Sequence, residues 1–153
     1  MTGIWVERLK FKDISKFSDF VKKFKTEESS KEVGIKKAKF LRFWALTEVF
    51  DYYFGFGPCF VAKSDNEIIG FCEGLNFLGK TYVGIGILEK FQGRGIGKLM
   101  IKCMKEYVKK NKLSTRTRVR VLKRNQRGNA FFKMQGFKII KEGKKWNTWD
   151  KKI

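Results

Sequence analysis

Residues 92–98 read Gln-Gly-Arg-Gly-Ile-Gly-Lys and separate an apolar, alternating run at 81–88 from a strongly amphipathic one at 97–110. Glycines at 93, 95 and 97 remove the Cβ atoms that would keep an anion away from backbone N–H groups. Successive amides can then converge on one ligand, and the positive end of a helix starting there adds to the attraction. Arg94 and Lys98 bring full charges to the same spot. The chemistry open to this pattern is the holding of a pyrophosphate. Two better-known phosphate loops are excluded. A P-loop with Gly97 and Lys98 in register needs glycine at Gln92 and Ser or Thr at Leu99. A G-x-G-x-x-G fingerprint begun at Gly93 needs its third glycine at Lys98.

Groups for acid–base or covalent work are few. The chain has no histidine, which removes every His-based triad and leaves almost no basis for zinc; no metal is expected. Cys59, Cys72 and Cys103 are scattered, without a C-x-x-C pair, and read as reduced thiols acting as small hydrophobes in an intracellular, cytoplasmic protein. Within IIGFCEGL, Glu73 alternates in phase with Ile69, Phe71 and Leu75, the more apolar set. A carboxylate in such surroundings binds a proton more readily, which suits abstraction from an ammonium; a strand-end glutamate in solvent is the alternative. Gly84 and Gly86 share one face of their run, where glycine marks close approach by a ligand or packing against a neighbour.

The elements that must position these groups follow from periodicity. IWVERL is a strand; Asp13 or Ser15 can cap a helix whose face is Phe17, Phe20, Val21 and Phe24. Residues 35–54 repeat a helical pattern with aromatics beyond one stripe. CFVAKSDNEIIGFCEGL is a hairpin about the turn SDNE, and TYVGIGIL is a central strand. Residues 97–110 form the clearest helix, with Leu99, Met100, Cys103, Met104, Tyr107 and Val108 expected inward. STRTRVRVL alternates Arg116, Arg118 and Arg120 against Thr117, Val119 and Val121. GNAFFKM is a short helix, and FKIIKEG and KWNTWD are strands. The expected fold is one domain over residues 1–153, α/β (mixed α+β), with a largely antiparallel sheet of about seven strands flanked by helices. Charge is strongly positive: 35 Lys plus Arg against 15 Asp plus Glu, a net +20, a field that attracts anions. No run approaches a membrane span, and MTGIWVERLKFKD lacks the apolar core of a signal peptide.

Gln92-Gly93-Arg94-Gly95-Ile96-Gly97 matches the [Q/R]-x-x-G-x-[G/A] acyl-CoA loop of the GNAT superfamily of N-acetyltransferases, and NQRGNAFFKMQGF at 125–137 is similar to that family's late motif. FVAKSDNEIIGFCEGL resembles its second and third strands. The resemblance implies acetyl-CoA, as co-substrate, in a V between splayed fourth and fifth strands. Gln92 to Lys98 would hold its pyrophosphate. Ile85, Gly86 and Ile87 would lend backbone groups to the pantetheine, with the amide of Ile87 or its neighbour on the thioester carbonyl. Asn125 would bond the cofactor, brace the splayed strand, or merely cap its own helix.

The implied reaction is direct attack by a neutral primary amine, belonging to a protein N-terminus, a lysine or a small molecule. The family's usual acid, a tyrosine, is replaced by Phe132, expected to pack against pantetheine. Tyr82, a water or no acid at all could fill that role, and Glu73 or a water the role of base. The alternative is a catalytically weak GNAT-like module that binds CoA, or binds nucleic acid through the Arg116–Arg118–Arg120 row and its basic neighbours. The sequence leaves oligomeric state open.

Overall fold

The computed structural model describes residues 3–27 and 57–153. The aromatic helix expected at 35–54 lies outside them. Seven strands form one sheet: β1 (Ile4–Arg8), β2 (Cys59–Ser64), β3 (Glu67–Phe77), β4 (Lys80–Ile87), β5 (Arg116–Leu122), β6 (Lys138–Glu142) and β7 (Trp146–Lys152). Their spatial order is β1-β2-β3-β4-β5-β7-β6. Every pairing is antiparallel except β4 with β5. Among the described residues three helices flank the sheet: α1 (Ile14–Thr26), α2 (Ile96–Lys110) and α3 (Gln126–Met134).

The two faces carry separate cores. On one, Phe17, Phe20 and Phe24 of α1 meet Phe71 of β3 edge-on, with ring centroids 5.9 to 6.2 Å apart. Burial of each ring contributes roughly 1.5–3 kcal/mol. On the other, Met100, Met104 and Val108 of α2 pack with Phe132 of α3, Val83 of β4, Val119 and Val121 of β5, and Trp149 of β7. The buried face of α2 is Ile96, Met100, Ile101, Met104 and Val108. Leu99, expected inward, is 40% exposed, and Cys103 and Tyr107 only border the core.

Two further expectations are corrected. A register shift between Ala62 and Lys63 leaves Ile69 without its own partner on β2. Ile68 and Phe71 consequently face α1, whereas Ile69 faces α2. Such a bulge inverts alternation on one side of itself, so Glu73 shares a face with Phe71 but not with Ile69. Asp13 occupies the N-cap of α1 but makes no side-chain cap bond. Its buried carboxylate instead accepts from Lys63 Nζ at 2.7 Å and from the Lys10 amide at 3.2 Å.

Candidate active site

Beyond Ile87 the chain makes a 3-10 turn, Glu89–Phe91, and Gln92 locks it. The Gln92 amide Nε2 donates to the Ile87 carbonyl at 2.8 Å, and its Oε1 accepts from Arg127 Nη1 at 2.6 Å. One side chain thereby ties the loop both to the end of β4 and to the first turn of α3. Gly93 and Gly95 each have φ of 79°, a conformation that costs other residues about 1–3 kcal/mol. A Cβ at Gly95 would meet nothing within 4 Å, and one at Gly93 only the Arg127 guanidinium at 3.5 Å. Backbone conformation requires these two glycines. Gly97 serves packing, because a Cβ there would lie 3.1 Å from Phe131 Cζ and the ring would have to give way. Spacing alone suggested one reason for three glycines; the backbone shows two.

Gly95 is the N-cap of α2, brings no capping side chain, and the first turn contains no acidic residue. The first intrahelical donor is the Leu99 amide, 3.1 Å from the Gly95 carbonyl. The N–H groups of Ile96, Gly97 and Lys98 thus leave the helix end without intrahelical acceptors, at the positive pole of the dipole. Lys98 and Arg127 line the cleft beside them. Arg94 does not: its guanidinium lies 5.5 Å from the Phe91 ring centroid, outside the cleft lining.

The cleft itself comes from broken strand pairing. β4 and β5 pair only at Lys80–Arg116, Thr81–Thr117 and Tyr82–Arg118, then separate. Beyond that vertex lies a cleft of about 850 Å³, walled by Ile85, Gly86 and Ile87 on one side and Val119 and Val121 on the other. The far end of β5 is tied to α3 and β7 by a residue that pattern reading did not single out. Asn129 of α3 donates through Nδ2 to the Leu122 carbonyl at 2.8 Å and the Asn125 carbonyl at 2.7 Å. Its Oδ1 accepts from Asn147 Nδ2 and Trp149 Nε1, both at 3.0 Å. Asn125 caps α3, its Oδ1 accepting the Gly128 amide at 2.7 Å, and also lines the cleft. Phe132 lines it from a buried position between the rings of Phe131 and Phe137. Arg127 and Asn129 lie inside the quoted 125–137 motif, but nothing in their types or spacing separates them from other polar helix residues.

On the α1 side of the cleft, Glu73 pairs with Gly84 across β3 and β4. A Cβ on Gly84 would fall 2.6 Å from Glu73 Oε1, so this glycine makes room for a carboxylate. Gly86 makes room for Phe71 and Phe24 in the same way. Tyr82 stands at the vertex, with the Arg118 guanidinium 5.9 Å from its ring centroid. The arginine row is partly neutralised. Asp150, 2% exposed, accepts from Arg116 Nε at 2.6 Å and Arg118 Nε at 3.1 Å. Among the described lining residues there is no Cys, Ser or His. Cys72 is fully buried, and burial first, then the charge of Glu73 and Cys103, pushes its thiol up. No metal-binding cluster occurs among the described residues, and no described helix is long and apolar enough to cross a membrane.

Comparison with known proteins agrees with this geometry. The family model described as the Acetyltransferase (GNAT) family matches residues 24–137. Among solved structures, the ribosomal-protein-S5-alanine acetyltransferase from Vibrio fischeri superposes with a TM-score of 0.86 at 16% identity, covering 99% of this chain and 94% of its own. RimL, a ribosomal L7/L12 alpha-N-protein acetyltransferase, gives 0.84 at 16%, covering 100% and 92%. The PaiA N-acetyltransferase from Thermoplasma acidophilum, solved with coenzyme A, gives 0.80 at 18%, covering 99% of each. No curated protein sequence matches the chain. The loop, the splayed strands and the matched segment coincide, and the chain belongs to the GNAT family of acetyltransferases.

Proposed function

We propose that this protein moves the acetyl group of acetyl-CoA directly onto a primary amine. The observation that carries the reading is one cleft in which an uncapped helix N-terminus stands at the end of a gap between two parallel strands. The amides of Ile96, Gly97 and Lys98, with the Lys98 and Arg127 side chains, suit the pyrophosphate. Glycine at 93 and 95 gives the turn its shape, Gln92 fixes it, and the edge Ile85–Ile87 with Phe131 and Phe132 suits the apolar pantetheine. The gap lets a thioester held from the α2 side present its carbonyl to an acceptor arriving on the α1 side.

There the amine nitrogen bonds to the carbonyl carbon, the C–S bond breaks, and the ammonium proton passes to Glu73 directly or through a water. The thiolate leaves without help from Phe132, which has no proton to give. With a thiol pKa of about 8.5 it is a tolerable leaving group, and Tyr82 at the vertex is the candidate acid. A missing acid lowers the rate by about 10²–10⁴-fold, which leaves turnover measurable. Structural neighbours named for ribosomal proteins S5 and L7/L12 make a protein N-terminus the first acceptor to try, ahead of lysine and small amines.

The test is release of CoA thiol from acetyl-CoA against a panel of peptides with free N-termini, N-acetylated lysine peptides and small amines. Release that depends on one amine class, with acetylated product by mass, is the expected result. Release at the same rate with and without every amine would count against the proposal.

A further inference from the structure

Strand register arranges the charges on the acceptor side of the cleft in a definite order. Glu73 is the partner of Gly84, and Leu75 of Tyr82, across β3 and β4; Tyr82 is the partner of Arg118 across β4 and β5. Gly84 and Arg120 each lie two residues beyond the Tyr82–Arg118 pair, on the same face as it. Glu73, Gly84 and Arg120 therefore fall on one line across the sheet, with the strand gap between Gly84 and Arg120. Glu73, Arg118 and Arg120 all line the cleft. The remaining described charges lining it, Lys98 and Arg127, belong to the loop end. Among the described residues, the acceptor side thus carries a carboxylate on the β3 side of the gap and two guanidinium groups on the β5 side, of which Arg118 is already paired with Asp150.

The two arginines are held as well as placed. Buried Asp150 fixes Arg118 through Nε, an orientation that leaves the outer edge of the guanidinium for another acceptor. Arg120 is exposed, its guanidinium 5.2 Å from the centroid of the Trp146 ring, and it makes no ion pair among the described residues. A guanidinium over a ring face does not spend its N–H donors on the ring, and a carboxylate can take two of them. Two guanidinium groups borne on α-carbons about 6.6–6.8 Å apart along a strand offer two donor sets to a planar anion.

We infer that the acceptor is an amine that itself carries a carboxylate, its ammonium directed to the Glu73 side and its carboxylate held by Arg118 and Arg120. This deepens the acetyl-transfer proposal and rests on it. A peptide N-terminus followed by acidic residues and a small amino-dicarboxylate share this chemistry. A polyamine does not, since each further ammonium would meet two guanidinium groups.

The experiment compares kcat/KM for three peptides of equal length with free N-termini and blocked C-termini, carrying two glutamates, two glutamines or two lysines next to the amino-terminal residue. Free glutamate and its amide form a second arm that tells a small acceptor from a peptide one. The order acidic, neutral, basic is expected, with at least about tenfold between acidic and neutral peptides at low salt and a smaller gap at high salt. Arg120→Gln should shrink the gap mainly through KM, and Arg120→Glu should invert it. Acetyl-CoA titration of each variant tells a misfolded protein from one that has lost selectivity. Equal kcat/KM across the peptides, or a preference for the lysine peptide, would overturn the inference while leaving acetyl transfer standing. Transfer to no amine at all, by a parent that binds acetyl-CoA, would overturn both.

Discussion

Replacing Asn129 by alanine removes the clamp that ties the end of β5 to α3 and β7, and its cost can be worked from the bonds lost. Asn129 makes four: two from Nδ2 to the carbonyls of Leu122 and Asn125, and two at Oδ1 from Asn147 and Trp149. Both carbonyls keep another donor, since Leu122 also accepts the Asn125 amide and Asn125 also accepts the Asn129 amide. The two donors keep nothing. Trp149 is 5% exposed, so its indole N–H would be stranded away from water, and Asn147 already has an unpaired buried Oδ1. Stranding a buried donor costs about 1–3 kcal/mol. The carbonyls add little, so the two donors together cost about 4 kcal/mol, or roughly 8–16 °C in Tm for a chain of this length. Chemical denaturation with an unchanged m-value gives the free energy directly. Because the clamp positions one wall of the cleft, acetyl-CoA affinity should fall even where the variant is fully folded. A loss below about 0.5 kcal/mol, typical of a surface change, with unaltered acetyl-CoA affinity, would refute the clamp.

Gly95→Ala adds a methyl in open space but demands a positive φ from alanine, so it should cost about 1–3 kcal/mol of stability and weaken acetyl-CoA binding, as read by calorimetry. Gly84→Ala drives its methyl against the flexible Glu73 carboxylate. It should lower kcat and alter the pH–rate profile far more than it shifts acetyl-CoA affinity; an unchanged kcat would remove Glu73 from the reaction. Lys63→Met strands the buried Asp13 carboxylate and one oxygen of Glu7, a change worth about 3–5 kcal/mol by denaturation. In the parent, the hydrogen bonds from Lys63 and Lys10 hold Glu7 near a pKa of about 2, below its ordinary 4.5. A carboxyl depressed on folding stabilises the native state above its unfolded pKa, so that contribution is lost as pH falls from 4.5 toward 2. The same denaturation series in Lys63→Met should show a much flatter acid limb.

The loop and the fold class were legible because local rules determine them. A run of glycines before an amphipathic stretch, and seven alternating segments in a set order, need no knowledge of distant contacts. What failed to show needed it. The bulge at Ile69 is a property of the pairing between β2 and β3, so strict alternation put Glu73 in phase with Ile69. The buried stripe of α2 is turned toward Ile96 and Ile101, and Leu99 is rotated outward. Asp13 looks like an N-cap by type and position, yet a lysine 50 residues away takes its carboxylate. Asn129 is one polar residue among several on a short helix; only the arrival of Leu122 from β5 and of Asn147 and Trp149 from β7 makes it a clamp. The arginine row was visible, but the aspartate that ties down two of its members lies on β7, the neighbouring strand.

The measurement nearest the centre of this account is calorimetric titration of acetyl-CoA into the parent protein and into Gly95→Trp, which fills the mouth of the loop. Micromolar binding to the parent, lost in a variant that still unfolds cooperatively, is the expected result. A folded parent that takes up no acetyl-CoA, or a variant that binds it as tightly as the parent, would contradict the assignment of loop and cleft.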